Sequence, residues 1–172
     1  MNKLINAVLF QLGWWACVLS VSQNLELLAI IFCTCLVGAH LYANPDRKKD
    51  LQLLVMCVPI GVAFDTLLEA LNIMIFYGWA LGFLSPCWLW MVWIMFVLTL
   101  NHSLSFIKHI PVVFTALLGL IFGSGSYIAG AKLGAASVQM DGSSPLLIAL
   151  LWAVLLPSLV WLSKRPSREL MY

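Results

Sequence analysis

The chain has 172 residues, of which 63% are hydrophobic and only 9% are charged. A soluble domain of this size needs more polar surface than that, so the composition excludes an ordinary globular protein. The formal net charge of +2 is too small to indicate nucleic acid as a partner. We therefore predict a single transmembrane domain, residues 1–172, with membrane lipids as its surroundings.

Apolar runs that recur along the chain predict an all-α bundle of about six transmembrane helices. Each run can cross a hydrocarbon core of about 30 Å at a rise of about 1.5 Å per residue. The stretch NIMIFYGWALGF, residues 72–83, is apolar but short, so we expect it at the interface or as a re-entrant segment. The predicted spans are residues 4–21, 26–43, 51–71, 84–101, 111–131 and 145–162.

The first span has a second interpretation. Lys3, an apolar run and the small residues Ser20-Val21-Ser22 resemble a signal peptide with its cleavage site. Trp14 and Trp15, together with the length of the run, favour a retained helix. Cleavage would leave the orientation of the other five spans unchanged.

The basic residues predict that both termini are cytoplasmic. With the N-terminus inside, eight of the nine Lys and Arg residues fall on the inner side, and only Lys132 falls outside. This is the asymmetry that orients inner-membrane proteins. The inner residues are Lys3, Arg47, Lys48, Lys49, Lys108, Lys164, Arg165 and Arg168.

Two carboxylates lie one helical turn apart in the third span. Asp65 is about 21 Å into a helix that begins at Leu51, and Glu69 follows on the same face. A charged aspartate at such a depth costs about 2.5–3.5 kcal/mol, so it should face protein or water. The pair could share a proton, form an ion pair with Lys132, or border a water-filled cavity. A purely structural role between helices is the alternative.

Histidines and cysteines predict neither a metal site nor a cofactor. The five cysteines are irregularly spaced and predict no disulfide framework. His40, His102 and His109 all fall at the predicted cytoplasmic interface, but their spacing matches no zinc signature. A metal site built from these three histidines, with Asp46 as a fourth ligand, is the alternative.

Tryptophans cluster at the predicted outer boundary of the fourth span and predict an interfacial aromatic belt. In the alternative interpretation they form a wall for a lipid tail or a ring-bearing ligand, and Trp88 is the member that we assign to a binding site. The cluster consists of Trp79, Trp88, Trp90 and Trp93.

Residues 119–135 form a glycine-rich helix. Its two G-x-x-x-G pairs predict close packing against another helix, including a second copy of the chain. A local opening of the helix at Ser124-Gly125-Ser126 is the alternative. We expect Tyr127 and Lys132 to be the polar groups that meet the third span, and we assign both of them and Ser126 to a ligand-binding site. The glycine pairs are Gly119 with Gly123 and Gly130 with Gly134.

Several motifs occur in an order that is similar to a known family. They are FQLGWWACV (10–18), the basic loop after the second span, G-x-x-x-D (61–65), P-x-W-L-W-x-V-W (86–93), LNHSLSF (100–106) and GSGSYIAGAKLGA (123–135). The chain resembles, over nearly its whole length, a family of small polytopic bacterial inner-membrane proteins that is classified only as a domain of unknown function. The resemblance implies a multi-pass protein of the bacterial plasma membrane and favours a lipid-related role.

The favoured hypothesis is a lipid-related enzyme or accessory subunit. Its polar pocket would contain Asp65, Glu69, Tyr127 and Lys132, and Asp65 or Glu69 would donate or accept a proton. A small oligomeric transporter with the carboxylates as proton or cation sites is the alternative. A scaffold for another membrane protein is the third class.

Overall fold

The computed structural model describes residues 2–138 and 144–165, and the predicted inner residue Arg168 lies outside these ranges. The regular secondary structure of the described chain is helical apart from two short strands, which confirms the all-α class. Within the described ranges, five helical stretches are long and apolar enough to cross a membrane. They are α1 (Lys3–Ser22), α2 (Glu26–Ala43), α3 (Arg47–Ala70), the stretch Val112–Lys132, and α7 (Ser144–Ser163).

The first helix pair begins at a capped terminus. The Asn2 side chain accepts a hydrogen bond from the Leu4 amide at 2.9 Å, which satisfies one of the free donors at the start of α1. Helices α1 and α2 then pack together, and the buried thiols of Cys17 and Cys33 lie 3.5 Å apart across the contact.

Helix α3 begins earlier than the sequence predicted. It starts at Arg47, not at Leu51, so Asp50 belongs to its first turn. Asp50 is nevertheless buried, although a charged residue at a predicted helix boundary is usually solvated. The helix therefore begins inside the predicted basic loop and carries a buried polar residue in its first turn.

The fourth predicted span is too long. Helix α4 covers only Cys87–Thr99, or 13 residues, and about 20 Å is shorter than the hydrocarbon core. Pro86 precedes it in an extended conformation, and residues 100–104 form turns that lead to a 3₁₀ helix at Ser105–His109. Apolar residues in both flanking turns made this span look longer than the helix.

The fifth predicted span is one continuous stretch with an irregular centre. Helices α5 (Val112–Leu118) and α6 (Ser124–Lys132) are joined by a π-helical turn at Gly119–Gly123. The π-helical turn packs against α7. A wider turn of this kind inserts an extra residue per turn and often lies at a functional site.

Residues 72–83 consist of turns around a short strand that the sequence did not predict. Strand β1 (Met74–Phe76) pairs antiparallel with β2 (Ala136–Val138), and Ile75 lies opposite Ser137. The turns around this strand place Asn72, Gly78 and Gly82 at positive φ. Glycine adopts this conformation without strain, and asparagine adopts it more often than most other residues. The pairing satisfies backbone groups that a lone apolar segment would leave exposed.

Candidate functional site

The Asp65 carboxylate lies at the centre of the bundle and is fully buried, with no exposed surface. Its Oδ2 accepts a hydrogen bond of 2.7 Å from the indole Nε1 of Trp93 on α4. Its Oδ1 accepts a hydrogen bond from the Tyr127 hydroxyl on α6. We call these three residues the Asp65 centre, and they join three helices through one carboxylate.

Gly61 makes the position of Trp93 possible. It lies one turn before Asp65 on the same face of α3, and an added Cβ there would be 2.1 Å from the Trp93 ring. The indole therefore rests on bare backbone and can reach the carboxylate one turn further along. The G-x-x-x-D pattern of residues 61–65 is thus explained by the packing of one aromatic ring.

Trp152 of α7 completes the aromatic surroundings of this centre. Its ring stacks on Trp93 with centroids 5.6 Å apart and planes 5° apart, and it contacts the Tyr127 ring edge-on. Added Cβ atoms at Gly119 and Gly123 would lie 2.3 Å and 2.2 Å from Trp152 atoms. These two glycines therefore let the π-helical turn approach α7 closely.

A cavity of about 650 Å³ lies beside the Asp65 centre. We call it the aromatic cavity, because rings from seven elements of the fold line it. Trp93, Tyr127 and Trp152 form part of its wall, whereas Asp65 lies behind them and does not line it. Other aromatic lining residues are Phe10, Trp14, Phe76, Trp88, Phe96, Phe106 and Phe122.

The residues predicted to form the polar pocket are only partly brought together. Tyr127 contacts Asp65 as expected. Glu69 instead accepts a hydrogen bond of 3.1 Å from the Phe76 amide of β1. Lys132 is exposed, and the ion pairs among the described residues involve other groups. Of the three arrangements considered for the two carboxylates, the ion pair with Lys132 is therefore not formed among the described residues.

Trp88 and Ser126 both line the aromatic cavity. The Trp88 indole donates to the Tyr77 carbonyl at 2.8 Å, and the Ser126 hydroxyl donates to the Gly123 carbonyl at 2.6 Å. Trp88 and Trp93 are buried, whereas Trp79 is exposed. Two of the four tryptophans that were predicted to form an interfacial belt are therefore interior residues.

A second buried carboxylate lies near the other end of α3. Oδ2 of Asp50 is 2.9 Å from Nε2 of His40 and 2.9 Å from Nε2 of His102. The same oxygen is 2.6 Å from Nδ2 of Asn44, and Oδ1 accepts a hydrogen bond of 2.8 Å from Asn101. We call these five residues the Asp50 cluster.

Lys108 connects the Asp50 cluster to the end of α7. Its Nζ donates to Oδ1 of Asn101 at 2.7 Å and to the Ser163 carbonyl at 3.1 Å. His109 and Asp46, which the sequence placed in an alternative metal site, are both exposed and do not join the cluster. Sequence reasoning missed Asp50 because it assigned this residue to a loop.

The model of a protein family described as "Protein of unknown function (DUF2878)" matches residues 3–158. No curated protein and no solved structure matches the chain. The matched range includes the Asp65 centre, the residues that line the aromatic cavity, and all five members of the Asp50 cluster.

Proposed function

The chain belongs to the DUF2878 family of proteins of unknown function, and we propose that it is an integral protein of the bacterial inner membrane whose aromatic cavity binds the acyl chain of a membrane lipid. The observation that carries the proposal is the apolar rim of that cavity. Phe106, Ile121 and Phe122 line it and are themselves 52%, 57% and 69% exposed. In a membrane, exposed apolar side chains face hydrocarbon, so the cavity would open sideways to lipid.

The size and shape of the cavity support an elongated apolar ligand. A volume of about 650 Å³ falls within the range of small-molecule sites, about 300–1,000 Å³. Its lining runs along α4 from Trp88 to Phe96 and continues to Ile107 in the 3₁₀ helix. A flexible chain can follow such a path, whereas a compact polar solute would leave most of the wall unused.

The few polar groups in the wall determine which hydrogen-bonding groups a ligand needs. Tyr127 and Ser126 donate their hydroxyl hydrogens to Asp65 and to the Gly123 carbonyl. Each hydroxyl oxygen retains acceptor capacity. The wall therefore favours a lipid with a hydrogen-bond donor, such as a free hydroxyl group, near its acyl chain.

Asp65 acts in this proposal as a positioning residue. It is separated from the cavity by Trp93 and Tyr127, and it fixes the orientation of both rings through their hydrogen bonds. A catalytic role of Asp65 would require proton transfer through Tyr127, because the Asp65 carboxylate does not line the cavity. Glu69 does not line it either and is bonded to the Phe76 amide. Both a lipid-modifying enzyme and a lipid-binding accessory subunit could use this arrangement.

Two glycines in the cavity lining can be replaced by a larger residue that fills the cavity without a clash with its wall. Gly125 and Gly130 line the cavity, and an added Cβ at either position meets no atom within 4 Å. Gly38 on α2 has the same open surroundings but lies outside the cavity. Leucine at each of the three positions therefore changes side-chain volume equally, and only two of the changes occupy the proposed binding space.

The test uses the full chain in nanodiscs that contain a phospholipid with a photoreactive acyl chain. We expect crosslinks to peptides that line the cavity, and we expect Gly125→Leu and Gly130→Leu each to reduce them several-fold. Gly38→Leu should crosslink like the wild type. Equal labelling of all four proteins, or labelling confined to other helix surfaces, would refute the proposal.

A deletion strain separates the remaining functional classes. Lipids whose masses change in the deletion strain, and return with the wild-type gene but not with Gly130→Leu, support a lipid-related role. Unchanged lipids together with proton- or cation-dependent flux in proteoliposomes would favour the transporter. Loss of a partner protein without either effect would favour the scaffold.

A further inference from the structure

We propose that the Asp50 cluster binds one divalent transition-metal ion through Nε2 of His40, Nε2 of His102 and Oδ2 of Asp50. These three atoms lie within 4.8 Å of one another. They come from α2, from the turn after α4, and from the first turn of α3. The site lies fifteen residues along α3 from Asp65, so the inference is independent of the lipid cavity.

Oδ2 of Asp50 is surrounded by more nitrogen atoms than it can accept hydrogen bonds from. Three nitrogens, from His40, His102 and Asn44, lie 2.6–2.9 Å from Oδ2 of Asp50. One carboxylate oxygen has two lone pairs, so three full hydrogen bonds to it exceed its capacity. A cation between the two imidazoles and the carboxylate would use the lone pairs of all three groups.

The burial of the Asp50 carboxylate also favours a bound cation. Asp50 is 1% exposed, and a buried carboxylate is normally paired with a cation or bound to a metal. Among the described residues, no Lys or Arg nitrogen lies within 4.0 Å of this carboxylate. Lys108 is directed to Asn101 and to the Ser163 carbonyl instead. A metal ion bound by the two imidazoles would place a positive charge in direct contact with this carboxylate.

The ligand types indicate the class of metal. Imidazole nitrogens suit zinc, iron, nickel and copper, and two histidines with one carboxylate leave coordination positions open for water or a substrate. His102 is 12% exposed, more than its two partners, so the open positions would lie on its side. Asn101 bonds the second carboxylate oxygen and would orient that ligand from outside the metal.

The experiment uses the full chain, purified without a histidine tag, treated with a chelator and dialysed in detergent. Titration calorimetry with Zn²⁺ measures affinity and stoichiometry, and Co²⁺ absorption reports the ligand field. We expect one equivalent of Zn²⁺ to bind the wild type. Since outer-shell changes alone cost about 10–100-fold in affinity, His102→Gln and Asp50→Asn should each weaken binding at least about 100-fold.

Two control variants are available in the same part of the chain. His109 and Asp46 are exposed members of the same residue types, and His109→Gln and Asp46→Asn should bind Zn²⁺ like the wild type. Equal weakening by these controls would show surface binding and overturn the proposal. A wild type that binds neither Zn²⁺ nor Co²⁺ would overturn it as well, and would leave the cluster as a hydrogen-bonded contact.

A stability measurement on the wild type tests the metal site even if the variants fail to fold. A metal that binds only the folded chain raises the unfolding temperature in proportion to the logarithm of its concentration. We expect Zn²⁺ to raise the unfolding temperature of the chelator-treated protein, and Mg²⁺ at the same concentration to leave it unchanged. No rise with Zn²⁺ would contradict the proposal without any substitution.

Discussion

Gly61→Ala tests the packing that holds the Asp65 centre together. The added methyl carbon would lie 2.1–2.5 Å from three atoms of the Trp93 ring. Carbon atoms in contact are separated by about 3.5–4.0 Å, so the ring must move by more than about 1 Å. The Trp93–Asp65 hydrogen bond of 2.7 Å would then leave the normal range of about 2.7–3.2 Å.

Two opposing terms set the size of the effect. Alanine in place of glycine inside a helix stabilises by about 0.8–1.0 kcal/mol when space is available. Overpacking of a core costs about 1–3 kcal/mol, and a lost hydrogen bond between membrane helices costs about 0.6 kcal/mol on average. We expect Gly61→Ala to lower the free energy of unfolding by about 1–2 kcal/mol. Disruption of the parallel Trp93–Trp152 stack adds to the loss.

The assay is unfolding of the purified protein in detergent, followed by tryptophan fluorescence. Gly38→Ala is the matched control, because its Cβ meets open space on α2, and we expect it to be neutral or stabilising. The two substitutions should therefore have opposite signs. If Gly61→Ala is as stable as Gly38→Ala and its fluorescence is unchanged, the ring does not rest on this glycine and our account of the Asp65 centre fails.

Two further substitutions test the buried polar contacts. Lys108→Met leaves Asn101 and the Ser163 carbonyl without their donor and should lower the free energy of unfolding by about 1–2 kcal/mol. Lys49→Met removes an exposed ion pair with Asp46 and should change the free energy of unfolding by less than about 0.5 kcal/mol. Equal losses of stability for Lys108→Met and Lys49→Met in denaturant titrations would contradict this expectation. Asp65→Leu leaves two buried donors unpaired and should be about 1–3 kcal/mol less stable than Asp65→Asn, and the reverse order would show that the carboxylate is not their acceptor.

Hydropathy predicted most of the fold. The second span coincides with α2, and the first, fifth and sixth differ from their helices by one residue at each end. The two three-residue strands could not be predicted, because their pairing joins residues about sixty positions apart. The length of helix α4 was overestimated, because apolar turns and apolar helices have the same composition.

The candidate site was predictable in part. Burial of Asp65 follows from its position in an apolar span, and Tyr127 was expected to meet it. Trp93 was missed as its partner, because tryptophans near a span boundary usually indicate an interfacial belt. Asp50 was missed because polar residues beside a basic run indicate solvated loops. The available signal was that His40, Asp50 and His102 all fall on one predicted side of the membrane.

The two buried acids of α3 differ in the chemistry of their partners. Asp65 is held by an indole and a phenol, groups that donate hydrogen bonds and remain neutral near pH 7. Asp50 is held by two imidazoles, whose ring nitrogens can bind a metal ion. Neutral donors suit the wall of the lipid-binding cavity that we propose, because they place no charge beside an acyl chain. Imidazole nitrogens suit the metal ion that we propose near the start of α3, so one helix would contribute to both proposed sites with no shared residue.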